Sequence, residues 1–382
     1  MTRSIRVAAI LSVGPPVLSI VLAFVLLPLL FGQTKTEFDK AAIDQDYYEI
    51  IWTEFEGRRI HCSDVADAAV CLAAQQTRGT KPVVLWLGNS QLHAIGRAAP
   101  GQPLLPGETS STGVLAALLA KDRKDLLTFS LPNANAQEQY VLFEYLRSRL
   151  NIETLVLPLV FLNFRDTGLR DGVAVALRDG PTHSALEKTK IGQRLLSENK
   201  PAESADTGGI AGSPQKWVED RLNQAMAAVI PAWSLREEAR GQIILGLDRL
   251  RRTVFATTST SKRRIVLAAY GPNMEAVQAI METAKANHIR VVPYLAPIRN
   301  DVERPFTPAD YQRFVTDLRA VMAPQDTPLL DFSELIPGRY WGQRPPTQLG
   351  SAGEVDFLHF QAPGHALLGR KLYDVLSDAG GR

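Results

Sequence analysis

The stretch PVVLWLGNSQLHAIG, Pro82 to Gly96, carries two patterns with a corner between them. Its first half is apolar, short and bounded by Lys81 on one side and Gly88-Asn89-Ser90 on the other, as expected of a parallel strand buried on both faces. Its second half resumes as a helix-like segment. A serine at such a corner has two readings. It is an N-cap, because serine satisfies free N–H groups at a helix start, or it is a nucleophile lifted to the end of a strand.

The same strand, loop, helix order repeats downstream. SSTGVLAALLAKD, from Ser110, reads as a helix with a hydroxyl-rich start. LLTFSLPN, Leu126 to Asn133, is a second strand, and AQEQYVLFEYLRSRL has helical spacing of its apolar residues. TLVLPLVFLNF, Thr154 to Phe164, is a third buried strand. Such alternation implies a parallel sheet covered on both faces, a three-layer α/β/α domain. An interruption follows, from residue 168 to about 262. Its first part, to about 214, is rich in Gly, Asp, Ser and Pro and includes SENKPAESADTGGIAGSPQ, which reads as a mobile surface loop. Two helix-like stretches broken near Pro231 come next, so the insertion is partly helical and reads as a lid or docking element. The strand rhythm returns with RRIVLAAYGPN (Arg263 to Asn273), the helix MEAVQAIMETAKANH, the strand IRVVPYLAPI and a last strand in TPLLDFSEL.

The chain has 382 residues and is 45% hydrophobic, enough for a large core. Its formal charge of +2, from 42 Lys and Arg against 40 Asp and Glu, offers no broad basic field for nucleic acid. Val7 to Phe31 contains no charged residue and is long enough to cross a bilayer core of roughly 30 Å as a helix. A signal peptide is the competing reading, but no small-residue cleavage pattern follows, so a retained single-pass anchor is expected. Arg3 and Arg6 then leave the amino terminus in the cytoplasm and place residues after about 33 outside the cytoplasmic membrane, in the periplasm or its equivalent. The expected organisation is an anchor over 1–32, a linker over 33–79, and a catalytic domain over 80–382. Cys62 and Cys71 lie close together in that linker. In an oxidising compartment they are expected to form a disulfide; the alternative is two unrelated cysteines. No Cys-x-x-Cys redox pair or zinc ribbon occurs.

Near the carboxyl end stands VDFLHFQAPGHALLGRKLYDVL. Pro363 suits the first turn of a helix, and Asp356 and His359 occupy the segment read as a loop before it. If that loop turns, a spacing of three lets the aspartate hold one imidazole nitrogen while the other points outward, the arrangement that deprotonates a serine. Equally open at this stage is that Asp356 caps a turn and His359 is a surface residue.

Ser90 after the first strand, strands ending near Asn133 and Asn163, and Asp-x-x-His before the last helix together resemble the SGNH, or GDSL-type, hydrolase superfamily. The resemblance covers roughly residues 80–165 and 262–380. It implies Ser90 as nucleophile and backbone oxyanion donor, His359 as base and Asp356 as its orienting acid. Asn133 and Asn135 stand where the second family block supplies an oxyanion donor, and Asn163 where the third does; "GNS" replaces the common Gly-Asp-Ser, and the Gly-x-Asn-Asp form is absent. The whole plan is similar to exported, membrane-anchored members that transfer D-alanyl groups to teichoic acid or acetyl groups to alginate. That likeness implies a serine acyltransferase or esterase acting on an envelope polysaccharide, lipid or teichoic-acid-like acceptor, beside a membrane-bound O-acyltransferase. A different class stays open: a binding or scaffold protein that keeps the fold without turnover.

The remaining polar residues read more plainly. Arg165 could meet an anionic substrate or join a surface ion pair. His93 is expected to pack, and His365 to lie on a polar helix face. His61, His183 and His288 show no metal spacing, and neither a metal site nor a cofactor is expected. Asp166 and Asp331 read as loop or cap residues, and Trp86, Trp217 and Trp233 as core packing.

Overall fold

The computed structural model describes residues 46–76, 81–105, 110–199 and 236–378. The chain enters through β1 (Tyr48–Ile50), the short antiparallel pair β2 (Glu54–Phe55) and β3 (Arg58–Arg59), β4 (His61–Cys62) and helix α1 (Ala68–Gln76). Strand β5 (Val83–Asn89) ends in a 3-10 turn, Ser90–Leu92, and then β6 (Ala94–Gly96), which pairs with β1. Helix α2 (Ser111–Lys121), β7 (Asp125–Leu131), α3 (Ala136–Arg147) and β8 (Ile152–Leu159) follow. Local chemistry starts both helices. Ser110 accepts a hydrogen bond from Gly113 N–H, and Asn135 and Glu138 form a reciprocal capping box.

Beyond β8 come the short helices α4 (Asp171–Ala174), α5 (Gly180–Leu186) and α6 (Lys190–Glu198), and after residue 235 the long helices α7 (Arg236–Val254) and α8 (Leu267–Ala286). The chain closes with β9 (Arg290–Leu295), α9 (Pro308–Met322), β10 (Leu330–Asp331), the antiparallel pair β11 (Trp341–Arg344) and β12 (Glu354–Phe360), and α10 (Ala362–Asp378).

Six strands form one parallel sheet in the order β10-β9-β8-β5-β7-β4. Along β5, Val83, Leu85 and Leu87 point into one apolar core and Val84 and Trp86 into the other. The two-residue period of a strand thus feeds two cores, one beneath α3, α8 and α9, the other beneath α2 and α10. This is the three-layer arrangement expected. From β5 the chain first adds β7 on one side and later β8 on the other, so strand order reverses at the carboxyl end of β5. Crevices at such reversals are where open parallel sheets place their ligands.

One expectation lies outside the described residues, and others meet a different structure. The anchor reading of Val7 to Phe31 lies outside the described residues, among which no helix is long and apolar enough to cross a membrane. Residues 46–76, read as part of a linker, belong to the domain: β4 joins the sheet edge beside β7, and β1 pairs with β6. Arg263 to Asn273 is not a strand. Val266 and Leu267 are exposed, whereas Ala269, Tyr270, Asn273, Ala276, Val277 and Ile280 are buried at helical spacing, so the apolar run is the start of α8. Short apolar runs do not separate strand from helix by themselves. Within the interruption, residues 171–198 are helical because Asp179 and Thr189 cap α5 and α6; most of the predicted mobile loop lies outside the described residues.

Cys62 in β4 and Cys71 in α1 are joined by a disulfide that ties the sheet edge to its covering helix. Closing so short a loop stabilises the fold by about 2–3 kcal/mol in the chain-entropy picture. Urea unfolding of the Cys62→Ser/Cys71→Ser double variant is expected to show that loss. Equal midpoints for variant and wild type would mean that the bridge adds nothing to α1 packing.

Candidate active site

At the end of β5 the cap is not Ser90 but Asn89, whose side-chain oxygen accepts the Gln91 N–H at 3.0 Å. That leaves the Ser90 hydroxyl unengaged by its own turn. Gly88 lets Leu92 pack back over the strand end, since a Cβ there would lie 2.3 Å from Leu92 Cδ1. The side chain of Gln91 donates to the carbonyls of Pro297 and Leu358, both at 2.8 Å, and so ties the serine turn to the strand that carries Asp356 and His359.

Asp356 and His359 lie not in a loop, as expected, but in a bulge of β12. Trp341 pairs with Phe360, Gln343 with Val355 and Arg344 with Glu354, so Asp356 to His359 all face the single residue Gly342. The Asp356 carboxylate shapes this bulge from within: its Oδ1 accepts the N–H groups of Leu358 at 2.8 Å and His359 at 3.0 Å. Its Oδ2 is 2.8 Å from His359 Nδ1, and His359 Nε2 is 2.9 Å from Ser90 Oγ. The structure therefore brings Ser90 to the Asp356–His359 pair although 269 positions separate it from His359. Gly96 lets β6 pack directly against this element, its α-carbon being so close that a Cβ would sit 3.1 Å from the His359 carbonyl oxygen.

Tyr48 is the member that sequence reading missed. Its hydroxyl donates to Asp356 Oδ2 at 2.6 Å, and its ring packs 4.7 Å from the His359 ring. Nothing in the local sequence marks it, because its role depends on β1 reaching a residue 308 positions away. Asp356 is 2% exposed, and burial opposes its ionisation. The charge and hydrogen bond of His359, the Arg344 guanidinium and the Tyr48 hydroxyl outweigh burial and hold the carboxyl well below its ordinary range. A permanently ionised carboxylate on Nδ1 selects the tautomer with Nε2 free to accept the Ser90 proton.

The loops after β7 and β8 flank this group. Asn133, at left-handed φ of 51°, and Asn163 line a cleft at the sheet end together with Leu358 and Arg165. Asn163 donates to the Ala134 carbonyl at 2.6 Å. Asn135 does not join them. Its side chain is fully buried, caps α3 and donates to the Gly168 carbonyl, so the expected substrate-facing role is replaced by a structural one. Arg165 donates through Nε to the Arg264 carbonyl rather than entering an ion pair with a described residue. Beneath the loops, the buried pair of Glu138 and Arg170 makes two side-chain hydrogen bonds, at 2.8 and 3.0 Å, and Arg170 also donates to the Pro132 carbonyl. Asp166 and Asp331 accept nearby backbone N–H groups, and Trp86 is buried with its indole on Tyr294; Trp217 and Trp233 lie outside the described residues.

No protein-family model matches the chain, nor does any curated protein sequence. Among solved structures, a carbohydrate acetylesterase from Sinorhizobium meliloti is similar at 12% identity and a TM-score of 0.34, over 78% of this chain and 100% of that one. An aryl esterase of M. smegmatis is similar at 12% identity and a TM-score of 0.33, over 78% of this chain and 99% of that one. Values this low leave the activity to be argued from the site itself.

Behind the site lie buried histidines. Ser130 Oγ bridges His61 Nε2 at 2.6 Å and His93 Nδ1 at 2.7 Å, and the His93 ring stacks on Trp52. One hydroxyl can donate to one ring and accept from the other, which suits two neutral imidazoles. His365, expected on a polar face, is instead fully buried against Phe360, with Nδ1 3.3 Å from Ser111 Oγ, because α10 turns that face onto α2. Burial, followed by the Arg59 charge, lowers His61 to about 3. Burial, followed by the His359 charge, lowers His365 to about 3, and burial with the neighbouring His61 and His359 lowers His93 well below its ordinary value. Below about pH 6.5 the unfolded chain takes up protons that these folded rings refuse, so stability must fall as pH falls. Each ring contributes up to about 1.4 kcal/mol per pH unit. Urea midpoints measured from pH 7.5 to 5.5, where ordinary carboxylates stay almost wholly ionised, are expected to decline as pH falls. A flat profile would contradict neutral buried imidazoles.

Proposed function

We propose that the protein is a serine esterase or O-acyltransferase that works through an acyl-Ser90 intermediate. The observation that carries this reading is the unbroken line from Asp356 Oδ2 through His359 to Ser90 Oγ, with contacts of 2.8 and 2.9 Å at the end of β5. Ser90 Oγ attacks the carbonyl carbon of an ester while His359 Nε2 takes its proton. Asp356 stays ionised and stabilises the imidazolium. When the tetrahedral adduct collapses, the ester C–O bond breaks and the departing alkoxide takes the proton from Nε2. Water or an acceptor hydroxyl then attacks the acyl carbon, giving up its proton to Nε2, and the proton passes to Ser90 as its Oγ leaves. No described residues form a metal-binding group, and no step above calls for one.

The same reading extends to place and partner. The apolar run Val7 to Phe31 supports a membrane anchor, and the Cys62–Cys71 disulfide supports an oxidising, extracytoplasmic compartment. In that setting the acyl group, acetyl or D-alanyl, is exchanged with a hydroxyl of an envelope polysaccharide, lipid or teichoic-acid-like polymer, and a membrane-bound O-acyltransferase is the fitting donor.

Intact-protein mass after exposure of the full-length chain to a fluorophosphonate is expected to show one adduct on wild type and none on Ser90→Ala. No adduct on wild type would move the assignment to a binding protein that keeps the fold without turnover. Asp356→Asn is expected to lower kcat on a reactive ester by roughly ten-thousandfold, because the imidazole then presents the wrong tautomer; an unchanged rate would remove Asp356 from the relay. Tyr48→Phe removes one hydrogen bond to a charged acceptor and is expected to lower kcat about tenfold while leaving KM near wild type. A shift in KM alone would assign Tyr48 to the substrate rather than to Asp356.

A further inference from the structure

The cleft beside the triad is lined with arginine. Its volume is about 420 Å³, within the range of small-molecule sites. Arg165 comes from the 3-10 turn that follows β8, Arg249 and Arg252 from α7, Arg263 from the segment before α8, and Arg344 from the end of β11. Leu358, which lies between Asp356 and His359 in the bulge, lines the cleft, so the cleft adjoins the segment that carries them.

The carboxylates nearby are already engaged. Of the two carboxylates that line the cleft, Asp166 accepts the Thr167 N–H, and Asp248 holds Arg251 at 2.8 Å and Arg252 at 2.5 Å. Glu354, although paired with Arg344 along the backbone, accepts from the Thr347 N–H and hydroxyl and from the Ser259 N–H. Among the described residues no carboxylate pairs with Arg249, Arg263 or Arg344, and the Nε of each is buried without a hydrogen-bond acceptor. Burial, then the charges of Arg344, Arg252 and Arg165, lowers Arg263 to about 10. These cations are therefore close enough to repel one another. Three Nε–H donors buried without acceptors beside one cleft are unsatisfied in the free protein, and a ligand with planar or tetrahedral oxyanion geometry supplies the missing acceptors.

We propose that this arginine cleft binds an anionic group, carboxylate or phosphate, carried by the ester substrate itself, and holds that substrate with its acyl carbon over Ser90. The inference rests on the acyl-Ser90 reading and adds the class of substrate: an acylated acid rather than a neutral ester. The anion sits on the Arg249, Arg263 and Arg344 side of Leu358 while the ester reaches past Leu358 to the serine. Arg344 also acts on Asp356, so substitution of Arg249 or Arg263 is the change that affects charge recognition more than the chemistry of acyl transfer.

The test uses matched substrates with the full-length chain. Acetylated glucuronic acid is compared with acetylated glucuronamide, and acetylated glucose 6-phosphate with acetylated glucose, by kcat/KM at fixed ionic strength. The charged member of at least one pair is expected to be preferred at least tenfold, and the pair that shows it identifies carboxylate or phosphate as the recognised group. Arg249→Gln and Arg263→Gln are each expected to lower the charged-to-neutral ratio about tenfold, the usual loss for one charge-assisted hydrogen bond. Ratios near one for both pairs in wild type, or equal losses on charged and neutral members in the variants, would overturn the proposal while leaving the acyl-enzyme reading intact. If no ester is turned over, calorimetric binding of the charged members to Ser90→Ala decides the cleft by itself. Binding there that Arg249→Gln weakens upholds anion recognition by the cleft, and absence of binding refutes it; the fluorophosphonate adduct on Ser90 decides the acyl-enzyme reading separately.

Discussion

A carboxylate buried to 2% exposure organises the site and much of what surrounds it. Left without partners, Asp356 would be a large destabilising charge in an apolar setting. Its two oxygens are instead filled by two backbone N–H groups of its own strand, by the His359 ring and by the hydroxyl of Tyr48. Each partner has a consequence. The backbone bonds push four residues out of the β11–β12 ladder, the imidazole bond turns Nε2 toward Ser90, and the tyrosine bond fastens the amino-terminal segment of the domain to its carboxyl-terminal end.

The sheet supplies the other half of the geometry. Because strand order reverses at β5, the loops after β7 and β8 diverge and leave the end of β5 open between them. Ser90 occupies that opening on a turn capped by Asn89, and Gln91 bonds across to the bulge. Division of labour among adjacent residues is thus tight: one caps, one faces the histidine, one sets the spacing between the two halves of the site.

Charge is distributed unevenly around this centre. Behind it, His61, His93 and His365 are kept neutral by burial and by neighbouring positive charge. In front of it, five arginines line one cleft, and three of them, Arg249, Arg263 and Arg344, pair with no carboxylate among the described residues. A chain whose overall formal charge is only +2 therefore concentrates positive charge at one cleft, a feature that composition averages away.

Strand and helix alternation around Pro82 to Gly96 was sufficient to establish a parallel, two-faced sheet, since apolar runs bounded by turn residues can be buried in few ways. Ser90 at a strand end and Asp356 three residues before His359 were legible for the same reason: they are local patterns. Local pattern misled where one apolar run fits two periods, as at Arg263 to Asn273, and where a polar residue has a second use, as with Asn135 in its capping box. It was silent on Tyr48, on Gln91 and on the convergence of five arginines, because hydrogen bonds and Coulomb interactions depend on distance in space. Sequence by itself determined the elements and the kinds of residue at their ends; which of those residues meet, and with what charge around them, was decided only when the packed sheet brought distant segments within a few ångströms of one another.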